Sequence, residues 1–475
     1  MRCRLIAALL LSTGLSPGAI AQAPPPERHL YVGVTLVDPA TETVQRNSYI
    51  LVEGNRIAAV GRGRPRSVRG AIVHDFSGRF ALPGLIDTHA HVTLGPGRMV
   101  NESGPRLQAV PRPEVTAFHA RRLLSYGVTT IRSPGGDLGL ARDYARQVAD
   151  GSLLGPEAIQ AGEIVDRLPI PFDGLVVRPS ADLPITEIVR RQAAGGAQAI
   201  KLYTGLSEAD LREGIAAARA HNLPTIAHLG DVSWTRAAEL GIDALVHMMP
   251  VSPDLLPADR RQAYKARRRP GGFAFFEWFE AADFGAPEMR AMIATLARER
   301  IHVDATLIAF EPAFWADDPQ RLARDAAGFH PEMLASWQQG FRFDLGWQPD
   351  DYRRARAVWP KVLELTRRLH EAGVPLTIGT DLANPYVAPG ISVSQEMALH
   401  QRAGIPAWAV LRMATSDAAR LLGMGNRVGH LRPGYEADIA FIAADPRPDL
   451  NRVADVVAVV NNGALLSPQE LRNSR

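Results

Sequence analysis

Residues 197–229 read AQAIKLYTGLSEADLREGIAAARAHNLPTIAHL. A short apolar run, AIKLY, leads into SEADLREGIAAARAHN, whose apolar positions recur at helical spacing, and then into a second apolar run, LPTIAHL. This is a strand–helix–strand unit. The same alternation extends in both directions, through GLIDTHAHV (84–92), PEVTAFHARRLLSYG (113–127), VTTIRS (128–133), LARDYARQVADG (140–151), PEAIQAG (156–162), IDALVHM (242–248), HVDATLIAF (302–310) and VPLTIGTD (374–381). Eight β-type runs begin near residues 85, 128, 157, 199, 224, 243, 302 and 375. Eight strands alternating with helices over roughly 300 residues is the arithmetic of a TIM (β/α)8 barrel, so the expected class is α/β.

The two ends of the chain read differently. VGVTLVD, SYILVEGNRIAAVG and AIVHDFSG are short strands with turns, as is the tail ADIAFIAADP…ADVVAVVNNGAL. The expected organisation is a signal peptide over 1–21 and a β-sandwich formed by 22–81 together with 425–475. The barrel is expected over 82–424, with an insertion of helices and loops at about 250–355. Arg2 and Arg4, an apolar stretch and Ala19-Ile20-Ala21 fit a bacterial secretory signal cut near Ala21, which makes a secreted or periplasmic protein the expectation. The apolar part is broken by Ser12, Gly14, Ser16 and Pro17, so no membrane span is expected in the mature protein. Cleavage removes Cys3, the single cysteine, and with it disulfides, Cys-ligated zinc and cysteine nucleophiles. It also lowers Lys+Arg from 53 to 51 against 50 acids, a net charge of +1 with no footprint for nucleic acid.

In a barrel of this kind the chemistry gathers at the C-terminal ends of the strands. His89 and His91 lie i and i+2 in DTHAHV, on one face of a strand. Lys201 ends the fourth strand, His228 the fifth and His247 the sixth, and Asp381 follows the eighth. Ionisable groups thus close five of the eight strands at equivalent places.

Lys201 is the informative member. The chain has three lysines, Lys201, Lys265 and Lys361, among 53 cationic residues. Where arginine is written nearly everywhere else, a lysine kept in an apolar strand implies that the amine itself is wanted. Burial favours its neutral form. A neutral amine adds carbon dioxide to give a carbamate, an anion with two oxygens able to bridge two cations; a guanidinium cannot. Two Zn²⁺ supply four positive charges, of which the carbamate, Asp381 and a hydroxide remove three. Four neutral imidazoles complete an N/O site suited to zinc or another borderline divalent metal.

PGLIDTHAHV (83–92), the strand-end lysine, the later histidines, GTD (379–381), and ATSDAARLLGM (414–424) with VGHLRPGYEADIAFI (428–442) resemble the amidohydrolase superfamily. More narrowly, they resemble its binuclear, carboxylated-lysine branch of Xaa-Pro-dipeptidase-like and imidazolonepropionase-like proteins. The likeness runs from about residue 30 to 450. It implies a barrel with a composite β-sandwich. By the family's pattern His89, His91 and Asp381 hold one metal with Lys201, and His228 and His247 hold the other, again with Lys201. Two departures stand out: Ser133, in IRSPGGD, where the family's RDxGG carries an aspartate, and a long aromatic insertion at 271–284. Both are expected to affect the substrate mouth and leave the metal ligands alone.

The activity implied is hydrolysis of a carbon–nitrogen acyl bond in a small substrate, a dipeptide or N-acyl amino acid, by a metal-bridging hydroxide. Asp381 is the expected proton carrier. Tyr203, two residues beyond Lys201 on the same strand face, and Arg132, at the end of the second strand, are the candidate substrate-binding residues. Cleavage of a cyclic amide or lactone at the same site, and a metal-free binding relative, stand as alternatives. Pairing of two copies into a homo-oligomer is left open.

Overall fold

The computed structural model describes residues 27–65, 68–100, 106–167, 172–340 and 342–473. The signal-like residues 1–21, with Cys3, lie outside the described residues. Eight parallel strands follow in the expected order: Leu85–Asp87, Val128–Ser133, Glu157–Gln160, Ile200–Leu202, Thr225–Ala227, Ala244–Val246, His302–Asp304 and Leu376–Thr377. A helix follows each of them. The unit quoted first shows why. Ser207 and Asp210 form a reciprocal capping box that starts helix Glu208–Ala220, and Leu211, Ile215 and Ala218 form its buried face. Strands covered in this way have both faces buried and read as continuous apolar runs.

The first three strands form one sheet, and the fourth to eighth belong to a second, which also takes in Ile164–Val165 and Val176–Val177. Two isolated parallel bridges, Ala161 with Ala199 and Ala90 with Leu382, join the sheets on both sides. Gln198 N–H donates to Gln160 O at 2.7 Å on one side, and Asp381 N–H donates to His89 O at 2.7 Å on the other. The pairings of the eight strands therefore run in a circuit from first to eighth and back to the first.

Inside this circuit Ala161, Ala199, Ile226, Ala244 and Val246 pack as a small apolar cluster of their own. Lys201 and His228 stand two residues beyond Ala199 and Ile226, on the same face. His247 is one residue beyond Val246, so simple alternation turns it away. Its left-handed backbone, φ 67°, reverses that, and Asp381 at φ 59° is placed by the same device.

The chain ends meet in a single eight-stranded sheet with the strand order Ala464–Leu466, Val456–Asn461, Ile439–Ile442, Phe80–Pro83, Arg28–Asp38, Thr43–Glu53 and Arg56–Arg62; Ile72–Asp75 also pairs with Arg28–Asp38. Both chain ends thus contribute strands to one connected sheet. Irregularities at Val32/Val34 and Val34/Leu36 bend the long first strand. The outer strand then returns to the segment entering Ile439, through an antiparallel bridge between Arg56 and Glu436. Period-two alternation divides the side chains. Tyr31, Leu36, Ala81, Phe441 and Val460 fill the sheet's own core. Their neighbours Val37, Leu82, Ala440 and Val459 pack into the large core of the parallel strands and helices.

Extra helices follow the sixth strand (Ala258–Arg267, Ala274–Ala281) and the seventh (Leu307–Phe314, Pro319–Asp325, Pro331–Gln338). No helix among the described residues is long and apolar enough to cross a membrane.

Candidate active site

His89, His91, Lys201, His228, His247 and Asp381 come together at the C-terminal ends of the strands. His89 Nε2 and His91 Nε2 lie 3.2 and 3.3 Å from Asp381 Oδ1, and His247 Nδ1 lies 3.7 Å from Asp381 Oδ2. His89, His247 and Asp381 each offer a ligand atom within 4.8 Å of the others. The ring of His247 is 5.1 Å from that of His89 and 4.3 Å from that of His228. Tyr203 is half-buried, with its ring 4.7 Å from that of His228 at 81° and 5.9 Å from Lys201 Nζ.

The electrostatics follow from burial and proximity. Burial lowers Lys201 to about 7; Asp381 opposes the shift and Arg132 adds to it. Burial, aided by the Lys201 charge, lowers His228 to about 3. His247 is held well below the usual imidazole range by burial and by His228. For His89 burial also works against the charged form, but Asp381 and Asp304 prevail and raise it. Burial of Asp381 disfavours its charge, yet His89 and His247 overcome this and hold its carboxyl well below the usual range.

The chain as a whole is similar to known proteins. A model described as the amidohydrolase family matches residues 281–466. The imidazolonepropionase of Chloroflexus aggregans is 26% identical over 452 residues, covering 85% of this chain and 86% of that protein. The 5-methylthioadenosine/S-adenosylhomocysteine deaminase of Symbiobacterium thermophilum is 26% identical and covers 91% and 88%. Among solved structures, a Xaa-Pro dipeptidase with bound methionine superposes with a TM-score of 0.65 at 20% identity, covering 93% of this chain and 100% of that one. A bottromycin amidohydrolase gives 0.68 at 22% identity, covering 94% and 88%. Together these matches support the amidohydrolase superfamily for this chain.

The donor set of the site fits divalent cations. Every candidate ligand atom is nitrogen or oxygen. Lys201 Nζ and His228 Nδ1 are buried without a hydrogen-bond partner, a cost that coordination would relieve. His91 Nδ1 lies 2.7 Å from Gly135 O, so it carries the proton and leaves Nε2 free toward Asp381. Gly135 belongs to the IRSPGGD segment, so the backbone of that segment orients one candidate ligand. His247 Nδ1 is 2.7 Å from Thr306 Oγ1.

Arg132 requires a correction. It is not a free clamp at the substrate mouth but an interior strut, 4% exposed. Its Nε donates to Thr88 O at 2.7 Å and its Nη2 to Asp304 Oδ2 at 3.0 Å. Asp304, at the end of the seventh strand, is the residue that sequence reasoning passed over. It accepts from Thr88 Oγ1 at 2.8 Å and lies 3.4 Å from His89 Nδ1. The available signal was an acid inside the apolar run HVDATLIAF. Asp87 is a similar case, accepting the Thr380 hydroxyl at 2.6 Å and the His89 N–H at 3.0 Å. Both acids steady ligand-bearing segments from behind.

Proposed function

We propose that the protein hydrolyses a carbon–nitrogen acyl bond in a small substrate of the dipeptide or N-acyl amino acid class, using two divalent cations, zinc by preference. The single observation carrying this reading is Lys201 Nζ, buried without a hydrogen-bond partner at a strand end beside four histidines and Asp381 from neighbouring strands. The circuit of eight strands is read as the closed TIM barrel of the superfamily, with the sheet from both chain ends as its companion domain. Residues 1–21 are read as a secretory signal that delivers the enzyme outside the cytoplasm.

His89, His91 and Asp381 would hold one cation and His228 and His247 the other, with Lys201, as a carbamate, shared between them. When bound, such cations acidify a water molecule and polarise a carbonyl oxygen. Asp381, charged at neutral pH, takes the proton of the attacking water and delivers it to the leaving nitrogen. The C–N bond breaks as the new C–O bond forms, and a carboxylic acid and an amine leave. Tyr203, whose phenol burial keeps protonated, is half-buried beside His228 and donates a hydrogen bond to the substrate. Gly135 and Thr306 keep two imidazoles oriented for their task.

The test combines metal analysis of the purified protein with turnover of dipeptides, N-acyl amino acids, cyclic amides and lactones. Chelation is expected to abolish activity and zinc to restore it. Lys201→Ala should lose both metal and turnover, with partial rescue by short carboxylic acids, whereas Lys201→Arg should stay inactive. Full activity of Lys201→Arg overturns the carbamate, and purified protein without bound metal overturns the reading as a whole.

A further inference from the structure

Phe310 sets its ring edge-on against His247, with centroids 5.4 Å apart and planes at 80°. It lies on helix Leu307–Phe314, directly after the seventh strand, and is 3% exposed. Phe275, from helix Ala274–Ala281, meets it at 4.7 Å and 81°. Phe343, from the loop before helix Pro349–Glu371, stacks on it at 5.9 Å and 20°. Phe275 and Phe343 also meet each other, at 5.6 Å and 83°. Three segments far apart in sequence thus supply one aromatic surface that begins at a candidate metal ligand and ends in solvent, where Phe275 and Phe343 remain half-buried.

Phe276, Trp278 and Phe279, next to Phe275 on the same helix, are fully buried in the main core, whereas Phe275 and Phe343 are only partly buried against it. Leaving Phe275 and Phe343 partly in water forgoes apolar burial that a ligand can supply. Their positions are also fixed rather than loose. Arg342 and the Tyr352 hydroxyl both donate to the Asp344 carboxylate, which locks the loop beside Phe343. Gly272 lets the turn before Phe275 close onto that loop, since a Cβ there would stand 2.0 Å from Phe343 O.

We propose that Phe275, Phe310 and Phe343 form the wall that receives an aromatic or bulky apolar side chain of the substrate, next to the bond that is cut. This deepens the hydrolase reading and rests on it. A side chain on a carbon flanking the scissile carbonyl reaches the wall directly, because the wall starts one ring away from His247. T-shaped and offset contacts with the exposed faces favour a benzyl group over a methyl group. The favoured substrates are therefore amides carrying a phenylalanine-like group.

The experiment measures kcat/KM for Ala-Phe, Phe-Ala and Ala-Ala, and for N-acetyl-phenylalanine and N-acetyl-alanine, with zinc present. A phenylalanine compound should exceed its alanine counterpart by at least ~10-fold, and the ratio should collapse toward one in the Phe275→Ala/Phe343→Ala double variant. Metal content confirms that the variant retains its site; Phe343→Leu is the fallback if the double variant does not fold. A calorimetric comparison of 3-phenylpropionate with propionate reads the wall without turnover. Selective binding of the former by the wild type, lost in the variant, supports the wall even when no amide is cleaved. In that case the hydrolase reading fails and the wall stands. Equal rates and equal binding in the wild type, or a preference that survives the double variant, overturns the wall.

Discussion

At the scale of single residues, Asp304 organises the interior of the site. Burial penalises its charge, but His89, Arg132 and Thr88 outweigh that and hold its carboxyl below the usual range. Removing Arg132 strands this carboxylate in the interior, a loss of roughly 3–5 kcal/mol. Arg132→Ala is therefore expected to lower stability by about that amount in denaturant titration. It should raise KM no more for carboxylate-bearing substrates than for neutral ones; a selective rise would restore the clamp. Gly379 makes the same point from the backbone. A Cβ at this position would lie 2.4 Å from Asp304 Oδ1 and 2.7 Å from the His89 Cβ. Gly379→Ala should lose bound metal, measured by elemental analysis, to a greater degree than it loses melting temperature.

At the scale of elements, helix Leu307–Phe314 links the fold to the site. Its N-terminus is held by Glu396, fully buried on helix Ile391–Arg402, which accepts the N–H groups of Leu307 at 3.0 Å and Ile308 at 2.7 Å. Thr306, in a left-handed conformation with φ 45°, precedes the helix and reaches His247. Four residues later the helix presents Phe310. Glu396 thus seats both a partner of a candidate ligand and part of the aromatic wall. Glu396→Ala leaves two buried donors without an acceptor and should cost about 2–4 kcal/mol in unfolding free energy. Glu396→Gln keeps one acceptor oxygen and should cost about half as much. A Glu396→Gln variant as stable as the wild type would show that volume, not hydrogen bonding, is what Glu396 supplies.

At the scale of the whole molecule, Asp438 stands where the end sheet meets the parallel strands. Its carbonyl accepts Gly84 N–H at 2.9 Å and its Oδ1 accepts Asn462 N–H at 2.8 Å. Burial first, with Glu436 and Glu157 adding, pushes its carboxyl up to about 7 against the Asn462 hydrogen bond. Because the folded-state value lies above the unfolded one, the stabilising contribution is complete in acid. It is lost as pH rises from about 4 through about 7. Asp438→Asn removes this titration. The variant should match the wild type near pH 4 and exceed it by about 2–4 kcal/mol at pH 8, read as melting temperature against pH. A gap independent of pH would place the titration elsewhere.

Much of this was legible in the amino-acid order, and the reason is local. Strand and helix periods repeat over a few residues, so DTHAHV, AIKLY, PTIAHL, ALVHM and IGTD each announced a strand and the polar group at its end. The scarcity of lysine singled out Lys201 before any coordinates. What tertiary structure alone decided are relations between distant segments. Arg132 reads equally well as a clamp or a strut until Asp304, 172 residues away, is seen beside it. His247 reaches the site against strand alternation because its backbone turns left-handed. The two sequence ends share one sheet because a bent strand carries its neighbours around. Phe275, Phe310 and Phe343 carry no common spacing; they meet because the loops after the sixth and seventh strands cover the same side of the site. Periodicity is written along the chain, whereas the pairing of a buried charge or a ring depends on distances through space that no short stretch encodes.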